Sequence, residues 1–396
     1  MTAREEVEHR ANDLLAWARD HREDVESHLL GLVEMETPSD EPRVFDEFFE
    51  AFSGDLERLE LETARHDGED TGGWLEAYTP GAETTEVQLV LGHADTVWPL
   101  GTLDDRPPEV RDDVLEAPGA LDMKGGLSQL VHALRALREE GLETGLPVYV
   151  LVNSDEEIGS PESRQRIEEL AGRANRVFVL EPASGPEGRI KVARKAVGRF
   201  TVEIEGVEAH AGIEPEEGAS ATEELGNVIR RLHALTDFER GVTVNVGEVE
   251  AGMRSNVVAA NALAEVDVRA PTAEAADRLE SEIRALEAET PGTSLTVTGG
   301  FGRPPMEETP GNQALWRRVR EIGASMDVEL EPARSGGASD GNLASQHAPT
   351  VDGLGAVGDG AHKRYEYVDL DALVERVALL AACLADRPLR NREENL

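Results

Sequence analysis

The sequence predicts an α/β protein with a mostly parallel central sheet, plus an inserted ferredoxin-like β-α-β-β-α-β unit. Three observations lead there. Short apolar runs alternate with helical patterns toward both ends of the chain. The middle of the chain shows strands with every-other-residue alternation. And 396 residues are more than a single core usually organises.

The elements follow in order. "MTAREEVEHRANDLLAWARD" at the N-terminus is charged and helix-forming, without the apolar core of a signal segment, and no run approaches the length that spans a bilayer. A cytoplasmic protein is expected. "VQLVLGHADT" (87–96), "PVYVLVNSDEE" (147–157) and "RVFVLEP" (176–182) are apolar runs that end in polar residues, as strands buried on both faces do. Helical patterns such as "GGLSQLVHALRALREEG" (125–141) separate them. From residue 196 the rhythm changes. "GRFTVEIEG" (198–206), "VTVNVGEVE" (242–250), "NALAEVDVRA" (261–270) and "SLTVTGG" (294–300) read as strands, with helices at 221–235 and 273–289. The domains are therefore 1–195 with 302–396, and an inserted 196–301, the first closing in the helix "LDALVERVALLAACLA" (370–385).

Composition excludes several function classes. Eighty acidic against 39 basic residues give a formal net charge of −41, spread along the chain. Such a surface repels nucleic acid and anionic membranes, and suits high salt, where screening relieves its self-repulsion. The single cysteine, Cys383, excludes an internal disulfide and a cysteine-rich zinc site.

The chemistry sits at strand ends. "GHADT" supplies His93 and Asp95, "DEE" supplies Glu156 and Glu157, and "LEP" supplies Glu181. Sites in such sheets lie just beyond the carboxyl ends of the strands, so these side chains should converge. "ALDMKGG" adds Asp122 before a helix start, and "GDGAHKRYEYV" adds His362 in a Gly-rich loop. Imidazoles mixed with carboxylates suit a pair of zinc ions, and metal ions would also explain why Asp155, Glu156 and Glu157 crowd one strand end. Any one of these residues alone reads as a solvated or capping side chain; together, at successive strand ends, they read as a site.

The ordered set "GHADTVWPLGTL", "GALDMKGG", "NSDEEIGS", "LEPAS", "EAHAG", "RSNVVAANA", "GRPPM", "GGASD" and "GDGAHKRYEYV" resembles the co-catalytic zinc peptidases and deacylases. That family includes glutamate carboxypeptidase, acetylornithine deacetylase, succinyl-diaminopimelate desuccinylase and aminoacylase. The resemblance spans essentially the whole chain and is strongest to the glutamate carboxypeptidase branch. It implies a zinc-peptidase-like catalytic domain holding two Zn2+ per chain, with Co2+ or Mn2+ as substitutes. Asp122 would bridge, His93 and Glu181 would complete one zinc, and Glu157 and His362 the other. Glu156 would be the general base, and Asp95 would hydrogen-bond the His93 imidazole and fix its tautomer. A cis peptide between Asp122 and Met123 is implied as well.

Within the inserted unit, the resemblance makes His210 an oxyanion ligand contributed to the partner subunit, assisted by Asn256. Arg303 and the loop Ser335–Ala338, including Gly337, would clamp a substrate carboxylate. It implies a homodimer joined through the inserted dimerisation (lid) domain, where Leu225, Val228, Ile229 and Leu232 form an apolar stripe that either meets its symmetry mate or packs on its own sheet. Ala338 departs from the pattern, which has a third Gly there, and Lys363 and Arg364 add two basic residues after His362.

Hydrolysis of an amide bond by metal-activated water follows, without a covalent enzyme intermediate. The substrate would be a small peptide or N-acyl amino acid. A carboxypeptidase acting beside a free C-terminal carboxylate, a deacylase of N-acyl amino acids such as acetylornithine, and a non-catalytic peptide- or metabolite-binding protein are the three readings open at this level.

Overall fold

The computed structural model describes residues 3–82 and 86–389, which form two compact units. The first comprises the chain up to Val192, Glu308–Ser335 and the chain from Ser339 onward; the second is Ala193–Glu307 with Gly336–Ala338. The extreme ends of the expected 1–195 and 302–396 domain, residues 1–2 and 390–396, lie outside the described residues.

In the first unit a six-stranded sheet runs in the order Glu62–His66, Trp74–Tyr78, Val148–Asn153, Val87–His93, Ala174–Val179, Thr350–Val351. Val87–His93 pairs in parallel with both neighbours, and Thr350–Val351 extends the parallel part. The two remaining strands add on antiparallel at the other edge.

The central strands read as unbroken apolar runs because both faces are covered. Val90, Val150 and Phe178 face a core with Leu14, Leu130 and Leu373, from the helices Ala3–Asp20, Gly125–Glu139 and Leu370–Ala385. Their neighbours Leu89, Leu91, Leu151 and Val177 face the opposite way, against Ile167 and Leu170 of the helix Arg164–Arg173 and Leu343 of the short helix Asp340–Ala344. Each such side chain contributes roughly 1.5–3 kcal/mol on burial, enough in aggregate for the scaffold to hold repelling acids together at one edge.

Sequence periodicity misses the short elements. Glu62–His66, Trp74–Tyr78 and the small antiparallel sheet of Gly358–Asp359, Tyr367–Asp369, Val114–Glu116 and Glu109–Arg111 span too few residues to show a repeat.

The second unit has the chain order strand Ala196–Glu205, helix Ala221–His233, strands Thr243–Ala251 and Asn261–Ala270, helix Ala273–Arg284, strand Ser294–Arg303. Its antiparallel sheet places Asn261–Ala270 and Ala196–Glu205 centrally, with Thr243–Ala251 and Ser294–Arg303 at the edges. Both helices start at hydroxyl caps, Ser220 accepting from the Glu223 amide and Thr272 from the Ala275 amide. The second helix stops five residues short of the expected 289, and beyond it Glu224 accepts the amides of Glu289 and Thr290.

Of the two alternatives for the apolar stripe, packing on its own sheet is the one the structure shows. Leu225, Val228 and Leu232 are buried against Phe200, Val202 and Val266 of their own sheet, with Ile229 packed beside them. The stripe thus packs inside its own unit. Among the described residues no helix is long and apolar enough to cross a membrane.

Candidate metal centre

Parallel pairing sets His93 opposite Asn153, so the turns after both strands open at the same edge of the sheet. The Ala94 amide donates to the Asn153 carbonyl at 2.7 Å and keeps the two turns together. Beyond this edge the first unit gathers His93, Asp122, Glu156, Glu157, Glu181 and His362.

His93 is buried at the end of its strand. Its Nδ1 lies 2.9 Å from the Asp95 carbonyl oxygen and 3.3 Å from Asp95 Oδ1. Both are acceptors, so Nδ1 carries the proton and Nε2 is the atom presented to the site. Nε2 lies 3.5 Å from Asp122 Oδ1 and 3.4 Å from Glu181 Oε1.

Asp122 is delivered by a tight turn. Gly119 has φ 71, where a Cβ would come within 2.7 Å of Thr96 Cγ2, so only glycine fits. Gly126 opens the following helix against the Leu180 carbonyl, with no room for a Cβ, and so draws the Asp122 turn toward the strand end that carries Glu181. The Asp122–Met123 peptide is cis, as the resemblance implies.

His362 sits at φ 62 in a turn closed by the Lys363 amide donating to the Gly360 carbonyl at 2.7 Å. The turn aims Nε2 at Asp122 Oδ2, 3.0 Å away, and at Glu157 Oε1, 3.2 Å away. Asp95 does more than hold His93. Its carboxylate accepts the amides of Glu156 (3.3 Å) and Glu157 (3.0 Å) and the Ser39 hydroxyl (2.8 Å), and so shapes the turn carrying both acids.

The charges respond as expected of a site built for cations. Burial opposes a charge on His93, but Asp122, Asp95 and Glu181 outweigh it and hold the imidazole well above its ordinary value. Asp122 and Glu157 push His362 up to about 11. Burial would raise Asp122, yet the two imidazoles hold it far below the usual carboxylate range; Glu157 is raised, first by burial and further by the Asp122 charge.

Asp122 Oδ1 is buried without a hydrogen-bond partner. Ligand atoms of His93, Glu156 and Glu181 lie within 4.8 Å of one another, and so do those of His93, Asp122 and Glu157. A buried carboxylate with one orphaned oxygen, set between two imidazole nitrogens and near further carboxylates, fits divalent cations of the zinc type. Residues 89–386 match the family described as Peptidase family M20/M25/M40.

The chain belongs to that family. It is accordingly a hydrolase of the metallopeptidase and amidohydrolase kind. Carboxypeptidase G2 of Pseudomonas sp. (strain RS-16) is 32% identical over 306 residues, 75% of this chain and 73% of its own. Acetylornithine deacetylase of Myxococcus xanthus is 30% identical over 338 residues, 78% of this chain and 83% of its own. Among solved structures, a Staphylococcus aureus tripeptidase matches with a TM-score of 0.77 at 20% identity, covering 92% of this chain and 98% of that one. A Bacillus subtilis M20 peptidase described as dinuclear metal binding matches with a TM-score of 0.69 at 16% identity, over 93% and 98%. These structures share the fold.

The other expected site residues of this M20 hydrolase are distributed over both units. His210 and Asn256 are exposed neighbours in the second unit: the Ala211 amide donates to the Asn256 carbonyl at 3.0 Å, and His210 Nδ1 accepts from the Gly212 amide at 3.1 Å. Arg303 is buried at the end of its strand in the second unit, 7% exposed. Gly337 is there too, its carbonyl and that of Ala338 each accepting from Arg194 at 3.3 Å, whereas Ser335 belongs to the first unit.

Two acids do something unexpected. Asp155, first of the three crowded acids, turns away to accept the amides of Glu162 and Ser163 and the Ser163 hydroxyl at the start of the helix Arg164–Arg173; burial pushes it up to about 6. Only its two neighbours lie within the candidate clusters, so the crowding is less severe than the sequence suggests. Glu366 is fully buried beneath the Asp122 turn, and sequence reasoning does not single it out.

Proposed function

We propose that this protein is a two-zinc hydrolase that cleaves an amide or peptide bond next to a free C-terminal carboxylate, in the manner of glutamate carboxypeptidase. The observation that carries the reading is the convergence of His93, Asp122, Glu157, Glu181 and His362, in which Asp122 Oδ1 is orphaned and faces His93 while Oδ2 faces His362, with Glu156 alongside. In this reading Asp122 bridges the two ions, His93 and Glu181 complete one set, and Glu157 and His362 the other.

Bound zinc would polarise the scissile carbonyl and lower the pKa of water toward neutrality. Glu156 takes a proton from the attacking water and hands it to the leaving nitrogen, which departs as an amine. Asp95 holds the His93 ring through its main-chain carbonyl, which accepts from Nδ1, and the Glu156–Glu157 turn through its carboxylate, so one residue orients both an imidazole and the base. His210 and Asn256 would stabilise the oxyanion. Arg303, with Ser335 and Gly337, would hold the substrate carboxylate, for which a guanidinium fork is suited. The resemblance supports a homodimer formed through the second unit, with His210 reaching the partner's site. The lone buried Cys383 fits a reducing cytoplasm.

Similarity to the M. xanthus acetylornithine deacetylase favours a second reading, a deacylase of N-acyl amino acids. A protein that only binds would have no use for Glu156 beside the cluster. The test measures bound zinc per chain, then hydrolysis of N-acyl-glutamates and of N-acetylornithine in high salt, with and without chelator. Chelator-sensitive release of glutamate supports the first reading, cleavage of acetylornithine alone supports the second, and a zinc-free protein inert toward both overturns each.

A further inference from the structure

Glu366 lies at the bottom of the Asp122 turn, with no exposed surface. Its Oε1 accepts the amides of Leu121 (3.0 Å) and Asp122 (3.1 Å), and its Oε2 accepts the amide of Gly119 (3.0 Å) and the Trp98 indole N–H (3.0 Å). A carboxylate offers about four lone-pair sites, and here donors fill all of them. All four contacts donate to Glu366, an arrangement that matches its carboxylate form.

Glu366 also belongs to the His362 loop. Its amide donates to the Lys363 carbonyl at 3.1 Å, in the turn that begins at Gly360. Arg106 fastens the same loop from the Trp98 side: it stacks 4.6 Å from the Trp98 ring centroid and donates to the Arg364 carbonyl at 2.6 Å. The carboxylate therefore joins the loop bearing His362 to the turn bearing Asp122, whose side chains meet at 3.0 Å.

We propose that Glu366 is a positioning residue that sets the Asp122–His362 spacing through its carboxylate, and thereby the affinity of both ion positions. The inference rests on the reading of the cluster as a metal centre. Glu366→Gln keeps the shape but has a single acceptor oxygen, so its NH2 must face one of the two donor pairs.

The experiment is chelator competition for Zn2+ on the full-length protein, with thermal melting of the metal-free form and kinetics at limiting and saturating zinc. Glu366→Gln is expected to weaken retention of both ions by about 10–100-fold, the range seen when partners of metal ligands are removed. Saturating zinc should restore part of kcat/KM. Trp98→Phe removes one donor of the four and should weaken binding by less than about tenfold. Folded Glu366→Gln with wild-type zinc affinity overturns the proposal, even where its melting temperature has dropped, because that pattern is a contribution to folding alone. Where Glu366→Gln does not fold, unchanged affinity in Trp98→Phe overturns it. A wild-type protein that binds no divalent metal defeats the metal-centre reading instead.

Discussion

Replacing Glu156 by Gln separates two roles that the geometry leaves close together. A Glu156 oxygen lies within 4.8 Å of the ligand atoms of His93 and Glu181, so the residue is near enough to bind metal as well as to act as a base. The turn itself is held through main-chain amides, which Asp95 accepts at 3.3 and 3.0 Å and which a side-chain change at 156 leaves in place. Gln matches Glu in size, and the His93, Asp122, Glu157, Glu181 and His362 donors are untouched. Metal content should therefore stay at the wild-type level. The amide cannot take a proton from water, and loss of a general base costs about a hundredfold or more, equivalent to about 2.7 kcal/mol of barrier. The assay pairs zinc per chain, by elemental analysis, with kcat for glutamate release, KM changing little. A zinc-loaded variant that keeps more than about a tenth of wild-type kcat would remove Glu156 from proton transfer. Loss of one zinc would make it a ligand.

Three further outcomes follow from the same geometry. Asp122→Ala should strip both ions together, whereas His362→Ala should weaken one, since Asp122 faces both imidazoles and His362 faces only Asp122 and Glu157; a full zinc complement in Asp122→Ala contradicts the bridge. In chelated protein His362 is raised from 6.5 to about 11, so its ion pairs with Asp122 and Glu157 stabilise the fold fully below about pH 6.5 and fade as pH climbs toward 11. The imidazole is half exposed, so screening shrinks the effect, but the melting gap between chelated wild type and chelated His362→Ala should be wider at pH 6.5 than at 9.5; a gap that widens with pH reverses the sign and refutes it. Finally, if His210 acts across a dimer interface, mixing inactive Glu156→Gln with inactive His210→Ala chains should restore activity. Mixed dimers verified by light scattering yet still inactive would confine His210 to its own subunit or to no role.

Much of the site is legible in the residue order, because metal ligands of this kind come from strand ends and strand ends are visible as breaks in apolar runs. His93, Glu156, Glu157 and Glu181 each follow such a break. Asp122 and His362 sit in glycine-rich turns, which composition flags but does not aim. What escapes is anything that depends on which way a polar side chain points. Asp155 and Glu156 are adjacent, yet one caps a helix and the other faces the cluster.

The two periodicities and the ordered motifs thus suffice for the α/β scaffold, the β-α-β-β-α-β unit and the list of candidate ligands, since hydrophobic burial imposes its repeat on the chain locally. Pairing partners far apart in sequence carry no such local repeat. The four donors that converge on Glu366, 244–268 residues upstream of it, are three backbone amides and one indole N–H with no local repeat to mark them, and only tertiary packing selects these four. The same holds for the stripe at Leu225, Val228 and Leu232: its helical spacing states that the helix buries one face, while the folded unit decides that its own sheet covers it.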